Sequence, residues 1–88
     1  MVFAGVHRRL GYSQEQLLRQ DRSRSAVYAR NIAMYVLHSE LRLSSPEIGR
    51  LLSRDHSTVL HGIHTVRDAL ANGDSLMRAD VAAVLQAP

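Results

Sequence analysis

Between Ala26 and Arg42 the apolar residues Ala29, Ile32, Ala33, Val36, Leu37 and Leu41 recur at steps of three and four. That spacing puts them on one side of a helix about 3.6 residues per turn, and no stretch of the chain alternates apolar and polar residues as a half-buried strand would. The expected fold class is all-α, a small bundle of about six helices. With 88 residues, one hydrophobic core and one domain over 1–88 are expected. Only one Phe, three Tyr and no Trp are present, so that core must be aliphatic. The absence of cysteine removes disulfides and thiolate zinc sites as props, which leaves packing to hold the fold.

Helix boundaries follow from capping chemistry. A first helix is expected over about Val2 to Leu10, closed by Gly11, and Ser13 can cap a short helix from Gln14 to Arg19. The stretch Gln20 to Ser25 has no apolar residue and reads as an exposed basic loop before the central helix. Ser44, Pro46 and Glu47 form a start signal of three parts: a capping hydroxyl, a proline allowed in the first turn, and a Glu placed for a capping box. That helix should run to Leu52. Asp55 can accept bonds from the free amides of the next helix, which keeps Val59, Ile63, Val66 and Leu70 on one face and stops near Asn72-Gly73. A last helix, capped by Asp74 or Ser75, carries Leu76, Val81, Val84 and Leu85.

A short capped helix, a tight turn and a second capped helix over 45–70 make the layout of a helix-turn-helix. With the apolar stripe of the second helix inward, His56, Ser57, His61 and His64 remain on its other faces. In such units the first turns of the second helix meet base edges in the major groove, while nearby arginines hold phosphates. Charge agrees with an anionic partner. All eleven cationic side chains are arginine; residues 1–67 carry ten of them against five carboxylates, net +5, whereas residues 68–88 carry one against three, net −2.

Three separate blocks, Arg30-Asn31-Ile32-Ala33-Met34-Tyr35, Pro46-Glu47-Ile48-Gly49 and Arg54-Asp55-His56-Ser57-Thr58-Val59-Leu60-His61, closely resemble the signature of the C-terminal DNA-binding domain of the DnaA family of bacterial replication initiators. The resemblance spans nearly the whole chain, strongly from Arg22 to Ile63. It implies binding of an asymmetric duplex site, the DnaA box, with recognition helix 55–71 in the major groove and basic loop 20–25 in the adjacent minor groove. Carried over by position, Arg22 is the minor-groove arginine, and Asp55, His56 and Ser57 read bases. Asp55 can accept from a cytosine amino group and His56 can pack on a thymine methyl. Thr58 and His61 would contact phosphate or sugar. Arg30, Asn31, His38 and Pro46 would flank the same surface, with Arg24 and Arg54 completing its basic character, and Arg30 is expected to add one phosphate contact to the salt dependence. The family has two glycines before the Arg-Asp-His block where this chain has Ser53 alone, a turn one residue shorter, which implies a slightly different angle for the recognition helix. Asn31 and His38 also stand where a longer Gln and a basic residue are common.

Other readings are weighed on the same residues. Asp55, His56 and Ser57 are the residue types of a hydrolase triad, but consecutive helical residues diverge and cannot form the relay, so no catalytic site is expected. His61 and His64, even with His56 nearby, lack a thiolate or fixed carboxylate, so no metal is expected either. No Gly-rich loop ending in Gly-Lys-Ser/Thr occurs, so no nucleotide or other cofactor is expected on this chain. The chain is expected either to be a fragment of a longer initiator or to stand alone, binding double-stranded DNA as a monomer in the cytoplasm, at the nucleoid, with no membrane span. A helix-turn-helix regulator with another site, or a protein-interaction adaptor using the same basic face, are the alternatives.

Overall fold

In the computed structural model, which describes residues 2–86, six helices follow one another: α1 (Val2–Leu10), α2 (Gln14–Leu18), α3 (Arg24–Leu41), α4 (Ser45–Leu52), α5 (His56–Ala71) and α6 (Ser75–Leu85). No strand occurs among the described residues. Residues 1, 87 and 88 of the single domain expected over 1–88 lie outside them. The fold is all-α, as the spacing of apolar residues requires.

The caps account for most boundaries. Ser13 accepts from the Gln16 amide while Gln16 reaches back to the Ser13 amide, and Ser44 and Glu47 form the same reciprocal box at the start of α4. Asp55 and Asp74 cap α5 and α6 by accepting from Ser57 and Met77. Three boundaries differ from expectation, the first being α2, which ends at Leu18 with Arg19 as its cap. Ser23 accepts from the Ala26 amide, so α3 starts at Arg24, two residues early, and the basic loop shrinks to 19–23 with Arg24 on the first turn of the helix. At the other end α3 stops at Leu41 because Arg42 turns left-handed, φ 57°.

Helix α3 runs through the centre, packed against α5 on one side and α1 on another; α6 lies across α1, and α4 leans on α5. Val6, Leu17, Ile32, Met34, Leu37, Ile48, Leu52, Val59 and Val66 are buried where these helices meet. At about 25 cal/mol per Å² of apolar surface, each such side chain contributes roughly 1.5–3 kcal/mol. Helix α5 approaches α3 closely at Gly62. A Cβ there would lie 2.7 Å from Asn31 Oδ1 and 2.8 Å from Met34 Sδ, so a hydrogen at this position sets the approach of the two helices.

One residue expected on an inner face, Leu41, is outside, and α6 carries two large apolar residues that are exposed. Leu41 ends α3 at 47% exposure, and on α6 Leu76 and Leu85 are 63% and 45% exposed. The buried stripe of α6 is instead Met77, Asp80, Val81 and Val84, at the three- and four-residue steps that one helical face demands.

Candidate nucleic-acid interface

Helix α5 has an open amino end that faces solvent. Asp55, His56, Ser57 and Thr58 are all exposed, as is His61 one turn further on. Inward, Val59, Ile63 and Val66 anchor the helix in the core, so these polar side chains are carried on a rigid rod. The Asp55 carboxylate has two duties. Its Oδ2 accepts from the Ser57 amide at 3.0 Å and from the Ser57 hydroxyl, while Oδ1 stands 3.9 Å from His56 Nδ1 and is otherwise open. The Ser57 bonds, hydroxyl first and amide second, hold the Asp55 carboxyl below the usual carboxylate range. Ser57 is thereby fixed in orientation, and one Asp55 oxygen stays available to an incoming donor.

The basic loop lies against this helix end. Gln20, Asp21, Arg22, Arg30, Arg54 and Thr58 line one open cleft of about 370 Å³, which brings Arg22 of the loop and Thr58 of α5 to the same depression. A second depression beside it, about 380 Å³, is lined by Arg22, Arg24, Val27, Tyr28 and Asn31. Arg22 belongs to both. Asp21 accepts from the Ser23 amide at 2.8 Å, a bond that lowers its pKa and shapes the turn holding Arg22 outward.

Two arginines expected on the outer surface are committed inward. Arg30 is only 6% exposed: its Nε donates to the Leu17 carbonyl at 3.0 Å, and its Nη2 donates to the carbonyls of Arg19 and Asp21 at 3.2 and 3.1 Å. Burial, then the neighbouring Arg54 charge, lowers its pKa. The guanidinium expected to contact phosphate thus holds three carbonyls at and just after the end of α2 through Nε and Nη2, and it also lines the open cleft beside Arg22. Arg54, half-buried, donates to the carbonyls of Leu18, Leu52, Ser53 and Arg19. Sequence spacing could not separate these two from Arg22, since the distinction lies in which carbonyls the fold leaves unpaired.

The remaining expected residues sit on the flank. Asn31 is half-buried over Gly62, and His38, seven residues along the same face of α3, is exposed with its Nδ1 3.0 Å from the Leu43 carbonyl. Pro46 is exposed in the first turn of α4. Within α4 the turn is tight: the amides of Ser53 and Arg54 both point to the Gly49 carbonyl, and Ser53 is left-handed at φ 54°. A Cβ on Gly49 would come 2.4 Å from the Arg54 carbonyl oxygen, so the one-residue-shorter turn closes only over a glycine.

The family profile described as "Bacterial dnaA protein helix-turn-helix" matches residues 1–66. The chain belongs to this bacterial DnaA helix-turn-helix family. It is 46% identical over 85 residues to the chromosomal replication initiator protein DnaA of Thermomicrobium roseum, covering 96% of this chain and 18% of that protein. It is 37% identical to the DnaA of Herpetosiphon aurantiacus, over 97% of this chain and 18% of that one. With the DnaA of Chloroflexus aurantiacus it shares 40% identity over 90% of its length and 16% of the relative. The chain therefore spans less than a fifth of the length of these DnaA relatives. The family match covers α1 to α4 and most of α5, the elements that build the exposed helix end and the loop beside it. Among the described residues no group of three or more potential ligands could hold a metal ion, and no helix is long and apolar enough to cross a membrane.

Proposed function

We propose that this chain binds double-stranded DNA of the DnaA-box type, sequence-specifically and as a monomer, in the initiation of chromosomal replication or its regulation in the bacterial cytoplasm, at the nucleoid. The observation that carries the reading is the shared cleft of Arg22 and Thr58, which sets an exposed arginine loop directly beside the exposed amino end of α5. A helix end of this width fits the major groove, and an arginine one loop away suits the narrow, strongly negative minor groove next to it. In this reading Asp55 Oδ1 accepts from a cytosine amino group, His56 packs on a thymine methyl, and Ser57 reads the adjoining base edge. Thr58 and His61 hold the sugar-phosphate backbone, and Arg24, Asn31, His38 and Pro46 flank it. The family membership supports the same assignment, since the relatives it matches are named as replication initiators.

Fluorescence anisotropy against a duplex carrying a DnaA box and against its scrambled copy, at two salt concentrations, tests this. The box should be preferred, and the preference should persist at the higher salt, where non-specific binding falls away. His56→Ala should lose about tenfold or more on the box and little on the scrambled duplex, the size of one base contact. Equal affinity for both duplexes would leave a helix-turn-helix with another site; no binding to either would favour a protein-interaction adaptor.

A further inference from the structure

The carbonyl of Arg19 accepts from two arginines that come from different parts of the fold: Nη2 of Arg30, on α3, at 3.2 Å, and Nη2 of Arg54, in the turn before α5, at 2.6 Å. Arg54 does more than meet that oxygen. Its Nη1 also lies 2.9 and 3.2 Å from the carbonyls of Leu52 and Ser53, the end of α4, and 3.4 Å from that of Leu18, the end of α2. One planar guanidinium thus ties the last carbonyls of α2 to the last carbonyls of α4, at the residue immediately before the Asp55 cap of α5. Its backbone is held too, with the amide on Gly49 and the carbonyl packed over the Gly49 Cα. Three residues after Arg19 comes Arg22.

We infer that Arg54 is a positioning residue that fixes the Arg22 loop relative to the amino end of α5, so that the two grooves are read as one rigid unit. The inference rests on the proposed DNA-box reading and goes beyond it, because it assigns Arg54 to the alignment of other readers and not to the DNA. Loop residues 19–23 have no helical hydrogen bonds of their own and few buried side chains, so without the strap they would sample many conformations, and DNA binding would have to order them. With it, that ordering is complete before DNA arrives. Arg30 holds the same loop from α3, but only Arg54 joins it to the turn that launches the recognition helix. Lysine cannot replace it: a single ammonium on a flexible stem cannot span carbonyls of two helix ends as a fork does.

The test is a double-mutant cycle on the whole chain, with Arg22→Ala and Arg54→Lys singly and together, read by anisotropy on the DnaA-box duplex. In the parent, Arg22→Ala should weaken box binding by about tenfold; in the Arg54→Lys background the same change should cost less than about threefold. Amide relaxation or hydrogen exchange on the DNA-free protein supplies the second readout: residues 20–22 should lose order in Arg54→Lys while α5 and α3 do not. Additive losses from Arg22 and Arg54, or loop amides as ordered in Arg54→Lys as in the parent, would overturn the inference. If the parent shows no box preference, the DNA-box reading fails instead, and the loop measurement still decides whether Arg54 orders the loop.

Discussion

Arginines close three helix ends in this molecule, in two clusters, by the same chemistry. At one side Arg30 and Arg54 take up the last carbonyls of α2 and α4; at the other, Arg8 donates to the carbonyls of Ala83 and Gln86 at the end of α6, and Arg9 pairs with Asp80 at 3.0 Å. Asp80, in turn, accepts from the Tyr28 hydroxyl on α3 at 2.5 Å. The difference is in what each clamp holds. The α1/α6 clamp fixes helices to each other, and its polar groups are consumed among themselves. The α2/α4 clamp fixes a loop whose exposed Arg22 is left with its charge outward. An identical device serves cohesion in one place and, in the proposed reading, presentation in the other.

The largest expected effect breaks the α1/α6 clamp alone. Asp80 is 6% exposed and is the shared partner of Arg9 and Tyr28, so Asp80→Ala leaves a half-buried hydroxyl and a half-exposed guanidinium without this acceptor. Removing one partner of a fully buried charged pair costs about 3–5 kcal/mol; with Arg9 42% exposed and partly screened, about 2 kcal/mol is expected here. Urea denaturation would read it. DNA-box affinity of the folded variant should stay within about twofold of the parent, and a larger loss would erase the division between the two ends.

Much of this architecture was legible in the residues themselves. Capping boxes at Ser13 and Ser44, the Asp55 cap and the stop near Gly73 follow from side-chain chemistry acting over three or four residues, and the α3 stripe follows from periodicity. What stayed hidden depends on contacts between distant parts. Arg30 and Arg54 look like any solvated cations until the end of α2 is folded beside them. Asp80 looks like a surface carboxylate until α1 and α3 bring Arg9 and Tyr28 to it. On α6 the apolar residues Leu76, Val81, Val84 and Leu85 did not by themselves assign an inner face, which the spacing of Met77 from Val81 and Val84 marks. Of the proposed contact residues, the exposed set at the start of α5 was legible from the helix-turn-helix spacing and the family resemblance together.

A smaller effect belongs to the α2/α4 clamp only. Ser53 holds a left-handed conformation that disfavours any residue with a Cβ by about 1–2 kcal/mol, while glycine there adds freedom to the unfolded chain that offsets part of the gain. Ser53→Gly should therefore stabilise the domain by roughly 0.5–1 kcal/mol, seen as a raised urea midpoint with unchanged slope. Destabilisation would mean that the Ser53 side chain contributes to the short turn in a way its backbone angles do not express.

The smallest effect separates the two ends by pH. At the reading side Asp21, Glu47 and Asp55 each accept bonds from a capping or turn serine, which holds their carboxyls below the ordinary values of 3.8 for Asp and 4.5 for Glu. A depressed folded pKa gives stability that is complete above the unfolded value and lost as pH falls through the folded one, so these caps weaken progressively below about 4.5. At the other side the Tyr28 phenol is pushed above its ordinary 10.0, by burial first and then by the Asp80 bond, with Asp74 adding to the rise and Arg9 opposing it. A raised folded pKa has the opposite sign: its contribution is complete below 10.0 and is lost only as pH climbs toward the folded value. Thermal melts across pH should thus fall off at both extremes, from different causes. Tyr28→Phe should remove the alkaline loss that Tyr28 contributes while leaving the acid arm in place, and Ser44→Ala should shrink the acid arm while leaving the alkaline one. If either substitution moved both arms, the two clamped ends would share one cooperative network, and the separation of cohesion from presentation would not hold.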